Sequence, residues 1–230
     1  KVTTLGIIHC ESDEDMFTYN FKPSVENIKN LFNIWIQRDL SLKGKITVIK
    51  SLALPSILYV ASVLTVPEFF IKEVNTLVYD FLWSNRKAKV KKSIITAPIE
   101  KGGLKMVDFK EMVRTQKITW AKKLIWASDE DSKWKAVPKS FFKDMEISFF
   151  LRCNFDKSCI PQNIPDFYKQ ILNIWMHVNK TEPETVDEVK NQVIWYNQYI
   201  IINKQAIFWQ DMFKNGVKCV KDLLKRNGDF

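Results

Sequence analysis

The chain has 230 residues, 46% of them hydrophobic and 27% charged, with only 6 Gly and 8 Pro; this argues against disordered and collagen-like classes and leaves one large or two small globular domains, rich in helix. Lys and Arg number 35 against 26 Asp and Glu, a net charge of +9 at neutral pH, which points to polyanionic partners, nucleic acid or an anionic membrane surface, against the plainer reading of a charge that keeps the protein soluble. Four cysteines without a CxxC pair (Cys10, Cys153, Cys159, Cys219) and two histidines away from finger spacing (His9, His177) argue against a zinc site and read as small apolar groups in a reducing, intracellular setting, nucleus or cytoplasm.

In chain order, Val2 to Ile8 carries β-branched residues and reads as one short strand, with an acidic loop, Glu11 to Asp15, after it. That loop lacks the Gly and alternating oxygen donors of a calcium site and reads as a solvated turn. From Pro23, Val25, Ile28, Leu31, Phe32 and Trp35 recur on one helix face, ending near Arg38. Ser41 is a good cap for a second helix, whose Ile46, Ile49, Leu52, Ala53, Ile57, Val60 and Leu64 run through a kink at Pro55. The uncharged stretch between Lys50 and Glu68 reaches the lower limit of about 17 residues for a membrane span. Pro55 interrupts it, four Ser and Thr dilute it and Pro67 ends it, so a buried core helix is expected, with no membrane partner and no signal peptide ahead of it.

A third helix is expected over Glu68–Trp83, then a basic hairpin or loop holding Arg86, Lys87, Lys89, Lys91 and Lys92, the β-prone Ile94-Ile95-Thr96 and a turn at Gly102-Gly103. A fourth runs from the cap Asp108 to Ala127, with Met112, Ile118, Ala121, Leu124 and Ile125 inward and Lys117, Lys122 and Lys123 outward. The polar break Asp129-Glu130-Asp131-Ser132 marks a domain boundary. Beyond it, Phe149 to Leu151 and Pro165 to Val178 read as helical, Pro183 and its acidic neighbours as a linker, and Tyr199 to Ile207 as a small hairpin turning at Asn203-Lys204. Two short helices split by Gly216 close the chain.

Two basic groups carry the functional signal. Arg38, Lys43, Lys45 and Lys50 bracket a helix start whose free N–H groups attract phosphate, and Gly44 among them would let a backbone approach. The run Arg86 to Lys92 places five cations in seven positions, with Trp83, Trp120 and Trp126 as candidate stacking surfaces for bases. Against binding stands plain solvated surface, and against stacking stands a core role for each Trp. No GxxxxGK[ST], GxSxG or HExxH motif occurs, nor a paired aspartate behind Tyr or Phe. Asp80, Asp108 and Glu111 are better explained as caps and surface than as metal ligands, so no catalytic residue, metal or cofactor is assigned.

The series Trp35-x-x-Arg38-x-Leu40-Ser41-Leu42-x-Gly44-Lys45-Ile46-x-Val48-Ile49-Lys50, then Leu54-Pro55, Tyr59, Pro67, Phe81-Leu82-Trp83 and Pro98-x-x-x-Gly102-Gly103-Leu104-x-x-x-Asp108 resembles the region after the palm in LINE-type (non-LTR) retrotransposon reverse transcriptases. Leu5-Gly6-Ile7 looks like the end of that palm, and Tyr196, Phe208-Trp209, Gly216-Val217, Asp222-Leu223-Leu224 and Gly228-Asp229-Phe230 are similar to a segment further downstream. The resemblance implies a mainly α fold: a palm-derived strand and acidic loop (1–20), a thumb-like helical bundle with a basic hairpin (21–127), a smaller helical linker unit (128–192) and a C-terminal hairpin with short helices (193–230). It implies a non-catalytic piece that holds template-primer RNA or an RNA–DNA hybrid beside an upstream palm of the same polyprotein. The family's palm aspartates, endonuclease and cysteine-rich motif fall outside this sequence, so polymerisation needs attached upstream domains. The alternative is a helical protein–protein scaffold derived from such an element.

Overall fold

A computed structural model describes residues 1–126, 133–178 and 182–224. The expected acidic break at 129–132, Ala127 and the closing 228–230 lie outside the described residues. The chain forms two compact units, Lys1–Gln116 and Lys117–Phe230. Both are mainly helical, each with one small two-stranded sheet.

The first unit opens with a hairpin rather than a single strand. β1 (Val2–Thr4) pairs antiparallel with β2 (Ile7–His9). Leu5 and Gly6 take φ of 49° and 78°, the paired positive values a two-residue hairpin turn demands, and Gly6 meets the second without strain. The acidic segment is also not a loop. Ser12 accepts a hydrogen bond from the Asp15 amide and caps α1 (Asp13–Asn20), placing Asp13, Glu14 and Asp15 in the first turn. Carboxylates there face the positive end of the helix dipole, which is their reason for clustering.

α2 (Lys22–Ile36) buries Val25, Ile28 and Phe32, as its periodicity requires. Ser41 caps α3 (Leu42–Val48), accepting from the Gly44 amide. The helix then widens into a π segment, Ile49–Ala53, before α4 (Pro55–Val63). Pro55 lacks an N–H and crowds the carbonyl four residues back; the Leu54 amide bonds instead to Ile49 O, and the helix bends by 45°. Ile49, Ala53, Leu54, Ile57 and Ala61 are buried in the core of this unit. Among the described residues no single helix is long and apolar enough to cross a membrane.

α5 (Glu68–Trp83) has the expected bounds and ends with Ser84 left-handed. Phe70 is the hub of an aromatic cluster, its ring 5.3 Å from Phe17, 4.8 Å from Phe21 and 6.3 Å from Phe109. Phe32 stacks on Phe81 at 4.2 Å. Each such buried ring contributes about 1.5–3 kcal/mol by leaving water, so these packed rings set the frame on which the basic segments hang.

Residues 94–96 do not extend a hairpin; they lie in a short helix, α6 (Lys92–Thr96). The pairing expected of a strand is replaced by amides of Leu104 and Met106 donating to Ile95 O and that of Lys105 to Ala97 O. This crossing is so tight that a Cβ on Gly103 would lie 2.1 Å from Ala97 O, while Gly102 turns the chain at φ 76°. α7 (Phe109–Trp126) starts after Asp108, whose carboxylate accepts from the Lys110 amide.

In the second unit α8 (Ala136–Phe141), α9 (Ile147–Phe150) and α10 (Asp166–Val178) contribute to a core around Phe150, Phe155, Ile171, Leu172, Trp175 and Trp195, while α11 (Val186–Asn191) buries none of its residues. Trp175 and Trp195 satisfy their indole N–H groups on Leu151 O and Val217 O, at 2.6 and 2.7 Å. α11 replaces part of the expected linker, because Thr185 and Glu188 form a reciprocal cap. β3 (Ile201–Ile202) and β4 (Gln205–Ala206) form the expected hairpin, with Asn203 and Lys204 both at positive φ. α12 (Gln210–Lys214) and a 3-10 turn, Val220–Leu223, follow on either side of Gly216.

Lys117 corrects an expectation. Read as outward, it is 0% exposed, because it continues the buried row Phe109, Val113, Lys117, Ala121 at four-residue steps. Its ammonium lies 4.3 Å from the centre of the Phe167 ring.

Candidate nucleic-acid interface

The basic corner is built by the end of α2 and the start of α3. Trp35, half-buried against the core, supports the Arg38 guanidinium at 4.7 Å from its ring, so Arg38 is presented on a flat apolar surface rather than swinging free. Lys43 and Lys50 are both exposed. Seven residues apart, they lie about two turns, or about 10 Å, along the helix, the axial rise of about three nucleotides in one strand. Thr47 is exposed between them, its hydroxyl turned back onto Lys43 O.

Lys45 departs from this arrangement. It is 7% exposed, and its ammonium donates to the Ser84 hydroxyl and lies 5.6 Å from the Phe81 ring centre. Its charge is spent inside the unit, not on the exposed face. Gly44 offers less than a special backbone approach: a Cβ there would meet Leu40 at 3.5 Å, an ordinary van der Waals distance, and its N–H is already taken by Ser41.

The second basic group is an exposed loop between α5 and α6. Ser84 and Asn85 both adopt left-handed conformations, φ 52° and 58°, and turn the chain sharply out of α5 before Arg86, Lys87, Lys89 and Lys91, all exposed. Lys92 is engaged: it pairs with Asp108 and lies 5.3 Å from the Tyr79 ring centre. Burial pushes the Asp108 carboxyl up, but Lys92, the Lys110 amide and Asn75 outweigh it and hold it below the usual carboxylate range. Burial, helped by the Asp108 charge, pushes the Tyr79 phenol up to about 12. Among the described residues, Arg38, Lys43, Lys50, Arg86, Lys87, Lys89 and Lys91 are in no ion pair, which leaves seven positive charges to be compensated by solvent or by a ligand.

The candidate stacking residues separate. Trp83 packs on the first core and Trp120 on the second, the latter edge-on to Trp134 and Phe167 at 5.6 Å each; only Trp126 of the three is widely exposed, at 68%. Asp108 caps α7, as expected of it, and no cluster of three or more His, Cys, Asp or Glu able to hold a metal occurs among the described residues. Sequence reasoning missed Ser84, whose hydrogen bond from Lys45 joins the two basic segments. The signal that could have found it is the row Lys45, Ile49, Ala53, Ile57, Ala61, in which a lysine heads a buried stripe.

No family model matches this chain. It is similar to the "Transposon TX1 uncharacterized 149 kDa protein" of Xenopus laevis, 22% identical over 199 residues, which is 83% of this chain and 15% of that protein. The chain therefore spans about 15% of the length of this relative.

Proposed function

We propose that the chain is a retrotransposon-derived module, equivalent to the thumb and downstream region of a LINE-type reverse transcriptase, that grips template-primer RNA or an RNA–DNA hybrid through its phosphates and works beside a palm domain of the same polyprotein. The observation that carries this reading is the pair of exposed cationic segments, Arg38 with Lys43 and Lys50, and Arg86 to Lys91, on one unit and free of carboxylate partners among the described residues. The similarity to a transposon-encoded protein over 83% of the chain adds to it. Bonds to phosphate position a nucleic acid without reading its bases, so affinity should depend on salt and hardly on sequence.

The test is titration of an RNA–DNA hybrid across a salt series. Binding is expected to weaken linearly in log–log form. Joint replacement Arg38→Gln, Lys43→Gln and Lys50→Gln should reduce the slope by up to about 2.7, at about 0.9 for each phosphate that is no longer neutralised. A wild-type chain that ignores the hybrid at low salt, or a triple variant with an undiminished slope, would sink the reading.

A protein-binding scaffold is favoured by one observation, the exposure of both Ile201 and Ile202 on the β3–β4 hairpin. It gains if the chain ignores nucleic acid yet self-associates, and if Ile201→Ser with Ile202→Ser abolishes that association.

A further inference from the structure

We infer that Lys45 governs polyanion binding without touching the polyanion: its bond to Ser84 holds the basic corner of α2 and α3 and the basic loop after α5 together as one two-part phosphate site. This rests on the nucleic-acid reading above. Lys45 stands two residues after Lys43, and Ser84 two residues before Arg86, so each of these exposed cations is tethered to the bonded pair by no more than about 7 Å of backbone. The bond thus lies at the root of both segments.

A purely structural role explains the residue less well. The position heads the stripe Lys45, Ile49, Ala53, Ile57, Ala61, whose other members are all apolar and 0% exposed, and a Met or Leu would fill it without desolvating an ammonium. An amine adds direction. It donates to one hydroxyl, that of Ser84, and faces the Phe81 ring, which is itself fixed by stacking on Phe32 of α2. The three groups lie on α3, α5 and the residue at which α5 ends, so the tie fixes where the loop leaves the bundle. Ser84 and Asn85 hold consecutive left-handed conformations, which non-glycine residues keep only where neighbours enforce them. The Lys45 ammonium is one such neighbour.

A direct bond to phosphate and a positioning role make opposite forecasts for Ser84→Ala, which removes no charge. The salt series on the RNA–DNA hybrid is run with the wild-type chain, Ser84→Ala and Lys45→Met, and amide hydrogen exchange of residues 85–91 is followed in the same three proteins. Expected are faster exchange of the loop in both variants, and a slope lowered in Ser84→Ala by about 0.9 or more, because a loop that leaves its place no longer neutralises phosphate. Lys45→Met should lower it at least as far. A wild-type slope and wild-type exchange in Ser84→Ala would overturn the inference while leaving the nucleic-acid reading intact. So would a Lys45→Met slope lower by about 0.9 beside an unaffected Ser84→Ala, which marks a direct bond from the ammonium to phosphate. Absence of binding by the wild-type chain overturns the reading and the inference with it. If Lys45→Met does not fold, Ser84→Ala decides alone.

Discussion

Gly103→Ala is expected to destabilise the first unit by about 2–3 kcal/mol, the upper part of the range of about 1–3 kcal/mol for extra atoms forced into a closely packed site. The added methyl would lie 2.1 Å from Ala97 O and 2.4 Å from its carbonyl carbon. These are backbone atoms, held by the Lys105 amide on Ala97 O and the Gly103 amide on Pro98 O, so they cannot swing aside as a side chain would. Gly102 offers the control. Its φ is 76°, yet nothing stands within 4 Å of a Cβ there, so Gly102→Ala carries only the left-handed penalty of about 1 kcal/mol. Urea unfolding of both variants checks the order. A Gly103→Ala loss no larger than that of Gly102→Ala would show that the crossing can open to admit a methyl group.

The second large effect is a stability that climbs with pH in the second unit. Burial lowers the Lys117 ammonium from 10.5 to about 7. The unfolded chain then binds more protons than the folded one between about pH 7 and 10.5, so stability rises with pH across that window, with a limiting slope of about 1.4 kcal/mol per unit. Below pH 7 the amine is charged in both states and the cost of burying it is borne in full. Cys153 acts in the opposite sense: burial, with Cys159 and Cys219 nearby, pushes its thiol above the ordinary 9, so stability falls away as the unfolded thiol ionises above that pH. The rise is therefore cleanest from pH 7 to 9. Lys117→Met should flatten it and raise stability at pH 7 by about 1–3 kcal/mol, as exchange of a buried ionic group for an apolar one often does. Equal pH profiles for wild type and variant, from denaturant unfolding at each pH, would remove Lys117 as the cause.

Asp108 gives a smaller acid-side counterpart in the first unit. Its carboxyl is held below 3.8 in the folded state, so its contribution is complete above that value and is lost as the pH falls through the folded-state pKa. Asp108→Asn keeps an acceptor for the Lys110 amide but loses the pairing with Lys92. The variant is expected to unfold less steeply on acidification, which acid titration followed by circular dichroism measures.

Sequence patterning located helices wherever punctuation and period agreed. Pro67 opens α5 and a six-residue apolar face fills it; Ser41 caps α3; Asn203-Lys204 turns the second hairpin. It failed where residue type outweighed position. Three acidic residues read as a loop because charge suggests solvent, yet they sit in the first turn of α1, where the helix dipole favours them. Ile94 to Thr96 read as strand from β-branching, yet the tight crossing at Gly103 leaves room only for one helical turn. Lys45 and Lys117 share a further lesson. Both occupy four-residue rows of apolar positions, and in both the charge led to an expectation of exposure while the row is buried in the structure. The candidate interface was legible as two basic groups; which lysine joins them was not, because it depends on Ser84, 39 residues away.

The π segment at Ile49–Ala53 makes the helix around it sensitive to length in a way its appearance hides. One extra residue is accommodated there per turn relative to α geometry. Removing a single residue from this stretch would restore the ordinary ladder and leave the residues downstream facing as before, whereas inserting a further one would rotate everything downstream by about 100°, carrying Ile57 and Ala61 off the core and Tyr59, which donates to Leu5 O at 2.6 Å, off the opening hairpin. A one-codon deletion here should be absorbed quietly, whereas a one-codon insertion should scramble the unit.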